Sequence, residues 1–82
     1  MPNKTLLLDA RPARTLPEVF AAFTQAALPG RPAATNLDGF ADYVREARIN
    51  AIVLHGCRLQ IPDYQILADV CQQLKVRLKT QP

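Results

Sequence analysis

The pattern of apolar and polar positions along the chain predicts three strands. Residues Thr5–Asp9 and Ala51–His55 form short, almost continuously apolar runs, which are typical of strands in a parallel sheet covered on both faces. In residues 76–80 apolar and charged side chains alternate, with Val76 and Leu78 directed inward, which is typical of a half-exposed edge strand. We therefore expect the first strand in the middle of the sheet and the last strand at its edge.

Two further segments have apolar residues at helical spacing and recognisable starts. Leu16–Ala27 follows a capping-box sequence, with Thr15 as N-cap and Glu18 three positions later. A second helix is expected to open at Pro62 or Asp63. Its apolar face consists of Ile66, Leu67, Val70, Cys71 and Leu74.

The helix predicted between them, over residues 36–47, carries two different stripes. One stripe is apolar and consists of Leu37, Phe40, Ala41, Val44 and Ala47. The other is acidic, with Asp38, Asp42 and Glu46 at positions i, i+4 and i+8. Like charges at this spacing destabilise an isolated helix by about 0.2–0.5 kcal/mol per pair. The acidic row is therefore either a solvated outer face or a surface offered to a basic partner.

The start of this helix adds further candidates. Thr35 or Asn36 is expected as the N-cap, and a capping box from Thr35 to Asp38 would give Asp38 a purely structural role. Gly39 lies beside the acidic row and leaves the backbone uncovered there, so that a partner can approach closely. Alternatively, Gly39 has no binding role and is merely tolerated within the helix, which it destabilises by about 1 kcal/mol relative to alanine.

The order of elements, β-α-α-β-α-β, predicts an α/β fold in which helices flank a small parallel sheet. The 82 residues form a single domain, 1–82, with little room for an enclosed small-molecule cavity. No apolar run reaches the length of a membrane span, and the first ten residues do not read as a signal peptide. We therefore expect a cytoplasmic protein without membrane contact.

The charge is segregated along the chain. The formal net charge is +3, while residues 35–46 contain three acids and one base. The bases are scattered and have no aromatic residues interleaved, which argues against a nucleic-acid partner. An RNA- or ribosome-associated module remains the alternative from another class, and its candidate residues are Arg31, Arg45, Arg48, Arg77 and Lys79.

Chemistry-bearing motifs are missing from the sequence. There is one histidine, no serine and no phosphate-binding or nucleophile motif, so we expect neither an enzyme nor a cofactor. His55 and Cys57 lie two residues apart, but no acid is available to orient the histidine and no second ligand cluster completes a metal site.

The segment Asn36-Leu37-Asp38-x-x-x-Asp42, entered from a Leu-Pro loop after a capped helix, resembles the barstar family of intracellular ribonuclease inhibitors. The strand at Ala51 and the closing helix–strand pair also match, so that the resemblance covers almost the whole chain. It implies three parallel strands with flanking helices. It also implies that the acidic helix and the loop before it plug the basic active site of a ribonuclease, with Asp38 and Asp42 as the key carboxylates.

Some of the family's features differ here. Barstar is strongly acidic, its loop tyrosines are not matched by residues 30–34, its helix tryptophan is matched by Ala41, and its last-helix glutamate falls near Gln72. We therefore expect a basic protein partner, above all a ribonuclease other than the family's usual one. Asp42 is the expected central anchor and Glu46 a peripheral contact. A diverged module with a non-ribonuclease partner, in which Asp38 and Asp42 have no binding role, is the alternative. The inhibitor hypothesis would fail if Asp42 were turned inward or engaged by a neighbouring arginine of its own chain.

Overall fold

Six elements follow one another along the chain in the computed structural model, which describes residues 4–82. Three of them are parallel strands of one sheet, and three are helices that connect the strands. In chain order they are β1 (Thr5–Asp9), α1 (Leu16–Ala27), α2 (Leu37–Ala47), β2 (Ala51–His55), α3 (Ile61–Gln73) and β3 (Arg77–Gln81). The predicted α/β class, the parallel sheet and the order β-α-α-β-α-β are confirmed.

The sheet has the spatial order β1-β2-β3, so β2 is its central strand. The expectation that β1 lies in the middle is therefore wrong, whereas the edge position of β3 is confirmed. The apolar run of β1 suggested a fully buried strand, but its central residue, Leu7, is 64% exposed. Apolar character alone did not distinguish a strand buried on both faces from an edge strand that exposes a leucine.

Among residues 4–82, helices cover only one face of the sheet. Because successive strands are added in the same direction, right-handed connections place every helix on the same side. The burial pattern agrees, since Leu8, Ile52 and Leu54 are buried while the residues that alternate with them are exposed or half-buried. The prediction that the strands are covered on both faces is wrong.

Three phenylalanines join α1 to α2 inside the core. The ring of Phe40 stacks on that of Phe20 and meets that of Phe23 edge-on, with both centroids 5.0 Å away. Phe40 belongs to the apolar stripe predicted for α2, in which Val44 and Ala47 are also buried. This packing fixes the rotation of α2 about its own axis, and with it the direction of its acidic face.

The starts of α1 and α3 differ in how they are capped. The Thr15 hydroxyl accepts a hydrogen bond from the backbone N–H of Glu18, as expected of the N-cap in a capping box. The Glu18 carboxylate accepts from the Thr15 hydroxyl, whereas in a capping box it would accept from the Thr15 backbone N–H. In contrast, α3 begins at Ile61, earlier than predicted, and Gln60 provides no side-chain cap. Ile66 of α3 is exposed and does not belong to its core face.

The ends of α2 and α3 are alike. Arg48 and Lys75 adopt left-handed backbone conformations, with φ of 57° and 60°, and terminate α2 and α3. The following N–H groups of Ile49 and Val76 return to carbonyls five residues earlier, at 3.2 and 2.8 Å. Each helix thus turns directly into the next strand, and β3 starts at Arg77. Within residues 4–82, no helix combines the length and the apolar character needed to cross a bilayer.

Candidate functional site

The acidic ridge, defined here as Asp38, Asp42 and Glu46, lies on the side of α2 opposite the core. All three residues are exposed, and the side chain of Asp42 is 75% accessible to solvent. The structure therefore brings the three predicted carboxylates together on one helix surface. Asp38 is in the first turn, where the helix dipole favours a negative charge.

The N-cap of α2 is Asn36, whose side-chain oxygen accepts a hydrogen bond from the Gly39 N–H at 2.7 Å. Of the two alternatives, Thr35 is thereby excluded as the cap, and the Thr35–Asp38 capping box that the sequence allows does not form. Thr35 is instead an exposed residue just before the helix. Asp38 has no capping role, so its carboxylate is not needed to satisfy the helix end.

Gly39 faces its own chain rather than open solvent. A Cβ built on it would lie 3.4 Å from the Asn36 side-chain oxygen and 3.6 Å from the Cβ of Ala34. The loop of residues 28–36 thus passes directly beside this glycine. The neighbour of the Gly39 backbone is therefore this loop, at distances that would also accommodate an alanine side chain. The role of Gly39 in partner binding stays a prediction.

The same loop is held against α2 at three further points. Arg31 forms an ion pair with Glu46, and its guanidinium lies 5.3 Å from the centre of the Tyr43 ring. The Tyr43 hydroxyl donates a hydrogen bond to the Pro32 carbonyl at 2.8 Å. These contacts were not predicted, because Arg31 and Glu46 lie 15 positions apart in the sequence. They hold the loop of residues 28–36 in place beside the ridge.

Asp42 is exposed and not turned inward, but it has an arginine partner in its own chain, which is a condition that counts against the inhibitor hypothesis. Its carboxylate lies 3.4 Å from the guanidinium of Arg45, one helical turn further on. Both side chains are mostly exposed, at 75% and 66%. Exposed helix pairs of this kind contribute about 0.3–0.5 kcal/mol, so an incoming cation can displace Arg45 at small cost. Among residues 4–82, Asp38 is the one ridge member without an ion pair in its own chain.

A shallow groove of about 420 Å³ runs between the ridge and α3. Asp38, Asp42 and Arg45 line one side of it, and Val70 and Gln73 line the other. The sequence did not identify the α3 residues as neighbours of the ridge, because helical periodicity shows which face is apolar but not which helix packs beside it.

A second groove, of about 670 Å³, lies at the carboxyl end of the strands. Its wall includes Cys57, Ile61 and Tyr64 and is mainly apolar. The other cysteine, Cys71, is buried in the core, and burial raises the pKa of its thiol to about 11. In the part of the chain that the structure describes, no three histidine, cysteine or acidic side chains converge as a metal site would require.

Comparisons of the chain with protein-family models, with curated proteins and with solved structures give no match. None of them identifies the barstar family, so the resemblance to it stays a prediction from the sequence.

Proposed function

We propose that this protein binds the basic active site of a ribonuclease through α2 and thereby inhibits the enzyme. The observation that carries the proposal is the common exposure of Asp38, Asp42 and Glu46 along one side of a helix fixed by its core contacts. A ribonuclease lines its cleft with cationic groups that hold RNA phosphates. Carboxylates on a rigid helix can take the positions of those phosphates through charge-assisted hydrogen bonds.

The rigidity of α2 strengthens the proposal. Asn36 caps its first turn, Phe40 anchors its buried side, and Tyr43 and Arg31 attach the preceding loop. A surface that is already ordered loses little conformational entropy when a partner binds. The loop and α2 together form the same pair of elements that the barstar resemblance assigns to ribonuclease binding.

The intramolecular arginines refine the roles of the three carboxylates. Glu46 is engaged by Arg31 and is half-exposed, which suits a peripheral contact. Asp42 shares a long contact with Arg45 and stays mostly accessible, while Asp38 is free of ion pairs within residues 4–82. We retain Asp42 as the central anchor and place Asp38 beside it as the carboxylate that needs no displacement.

A diverged module with a partner other than a ribonuclease is the second candidate. The observation that favours it is the pairing of Asp42 and Glu46 with arginines of this chain. The RNA-binding alternative loses support from the same contacts. Arg31 and Arg45, two of its five candidate bases, are engaged by carboxylates.

The test is a titration of basic ribonucleases from the source organism, starting with any encoded beside this gene, in a fluorogenic RNA-cleavage assay. We expect the wild-type protein to inhibit one of them and Asp42→Ala to lose at least about 2 kcal/mol of binding free energy, the threshold for a hot-spot residue. Asp38→Ala should also weaken inhibition. The matched control is Asp69→Ala, which removes an exposed carboxylate from α3 and leaves the ridge intact.

Stability measurements on the same variants separate binding from folding. Asp42→Ala should leave the free energy of unfolding unchanged or slightly higher, because loss of the weak Arg45 contact is offset by relief of repulsion along the ridge. Equal inhibition by wild type and Asp42→Ala would refute the role of Asp42. A complex with a protein that is not a ribonuclease, formed equally well by wild type and Asp42→Ala, would establish the diverged module instead.

A further inference from the structure

The uncovered face of the sheet, called the open face below, presents nine side chains in three rows. The register of the parallel strands places equivalent residues side by side on this face. From the amino to the carboxyl ends of the strands, the rows are Thr5–Ala51–Arg77, Leu7–Val53–Lys79 and Asp9–His55–Gln81. All nine are exposed or half-buried, because the helices pack on the opposite face.

The centre of the open face is apolar. Leu7 is 64% exposed, and it lies next to Val53 on the central strand. Ala51, one row away, is small and leaves the side of Val53 accessible. A large aliphatic side chain on a strand surface with polar residues around it is the arrangement found at the core of protein interfaces, where a polar rim surrounds apolar contacts.

The β3 side of the open face is basic. Arg77 and Lys79 are both exposed and belong to none of the ion pairs found in residues 4–82. They are two positions apart on one strand, so their Cα atoms are separated by about 6.6 Å along the strand. The one carboxylate of the open face, Asp9, is already paired with Arg11 at 2.8 Å. The face therefore has uncompensated positive charge along one side.

We propose that the open face is a docking surface for an acidic protein segment. An apolar side chain of that segment packs on Leu7 and Val53, while its carboxylates pair with Arg77 and Lys79. Charge complementarity selects an acidic partner, because no carboxylate of the face is left free to receive a base. The proposal does not depend on the proposed function, since the acidic ridge belongs to the helical layer on the other side of the sheet.

Two other occupants fit the open face less well. None of the nine side chains is phenylalanine, tyrosine or tryptophan, and the single imidazole, His55, is half-buried at one end of the face. Single-stranded nucleic acid would therefore find no row of stacking partners there. A second copy of this chain, packed face to face, would bring two uncompensated bases from each copy into one interface. An acidic protein segment satisfies both the apolar centre and the basic side.

The test measures binding of a fluorescently labelled synthetic peptide in which glutamate alternates with leucine. A peptide with lysine in place of glutamate and a labelled single-stranded RNA homopolymer serve as comparison probes. The protein variants are Lys79→Glu and Leu7→Thr, with Arg14→Glu as the matched control, because Arg14 is an exposed base outside the open face. Circular dichroism and thermal unfolding verify that each variant is folded.

We expect the acidic peptide to bind wild type and Arg14→Glu alike, and the basic peptide to bind neither. Lys79→Glu and Leu7→Thr should each weaken binding of the acidic peptide about tenfold or more. Binding that is unaffected by both variants, or RNA binding that Lys79→Glu abolishes while the acidic peptide fails to bind, would overturn the proposal. A wild-type dimer that Lys79→Glu dissociates, again without peptide binding, would assign the face to a second copy and overturn it as well.

Discussion

The hydroxyl of Thr24 in α1 accepts a hydrogen bond from the backbone N–H of Ala34, at 3.2 Å, and donates one to the Phe20 carbonyl, at 2.8 Å. Both residues are buried, with Thr24 1% and Ala34 6% exposed. Thr24 is thus a polar side chain in the core whose two hydrogen bonds are made inside the protein. It fastens the loop of residues 28–36 to α1, and this loop in turn lies along α2.

Replacing Thr24 by valine should destabilise the protein by about 1–3 kcal/mol, because the N–H of Ala34 stays buried and loses its acceptor. Thr24→Ser keeps the hydroxyl and is the matched control, with a smaller loss from the missing methyl group. Urea unfolding measures both, and amide hydrogen exchange at Ala34 should accelerate in the valine variant alone. Equal destabilisation by valine and serine would show that the methyl group, and not the hydrogen bond, makes the contribution.

The fold was predictable as far as it depends on local pattern. Helical periodicity and the Thr15 cap gave α1 with its observed bounds, and the alternating residues before Thr80 gave the exposed edge strand. The position of β1 was not predictable in this way. A run of three leucines does not show whether one or both faces of a strand are covered. The number of covered faces depends on the direction in which the helical connections join the strands. Leu7 is exposed for that reason.

The candidate site was also predictable only in part. The spacing of Asp38 and Asp42 gave the common helix surface on which the structure places them. Their neighbours are set by tertiary contacts, so the pairing of Arg31 with Glu46 and the lining of the groove by Gln73 had no local signal. The two candidate N-caps, Thr35 and Asn36, are adjacent, and N-cap propensity does not resolve a helix start to one residue.

The choice between these two caps leads to a direct test at the start of α2. Asn36→Ala removes the side-chain oxygen that accepts from the Gly39 N–H, and we expect it to cost about 1 kcal/mol of stability. Thr35→Ala should be close to neutral, because Thr35 is exposed and precedes the cap. Chemical denaturation compares the two variants. A larger loss for Thr35→Ala than for Asn36→Ala would place the helix start one residue earlier than observed.

Gly39→Ala should stabilise the protein by up to about 1 kcal/mol, the gain in helix propensity. The added Cβ meets its nearest neighbours at 3.4 and 3.6 Å, which are ordinary van der Waals distances. Thermal unfolding provides the measurement, and Ala41→Gly, which makes the opposite change on the same helix, provides the comparison. A loss of stability in Gly39→Ala would mean that the loop beside it requires the bare backbone.

The carboxylate of Asp9 should stay ionised well into the acid range. It accepts hydrogen bonds from two side-chain nitrogens of Arg11, at 2.9 and 2.8 Å, and from the Arg11 backbone N–H, at 3.1 Å. These bonds favour the charged form, so the Arg11 side chain first, and then its backbone, hold the pKa of Asp9 well below its usual range. Arg11→Met, which keeps an apolar stem over Gly56, should return the pKa towards the ordinary value of about 3.9.

The sign of the effect on stability follows from this depressed pKa. The pair stabilises the folded state above the pKa of unfolded Asp9, about 3.9, and this contribution declines as the pH falls towards the lower pKa of the folded state. The difference in unfolding free energy between wild type and Arg11→Met should therefore narrow as the pH drops below about 4. Arg14→Met is the control, and the difference in unfolding free energy between this variant and wild type should stay constant as the pH drops below about 4. Carboxyl-carbon NMR titration measures the Asp9 pKa itself, and an Asp9 that titrates alike with and without Arg11 would show that the contact does not persist in solution.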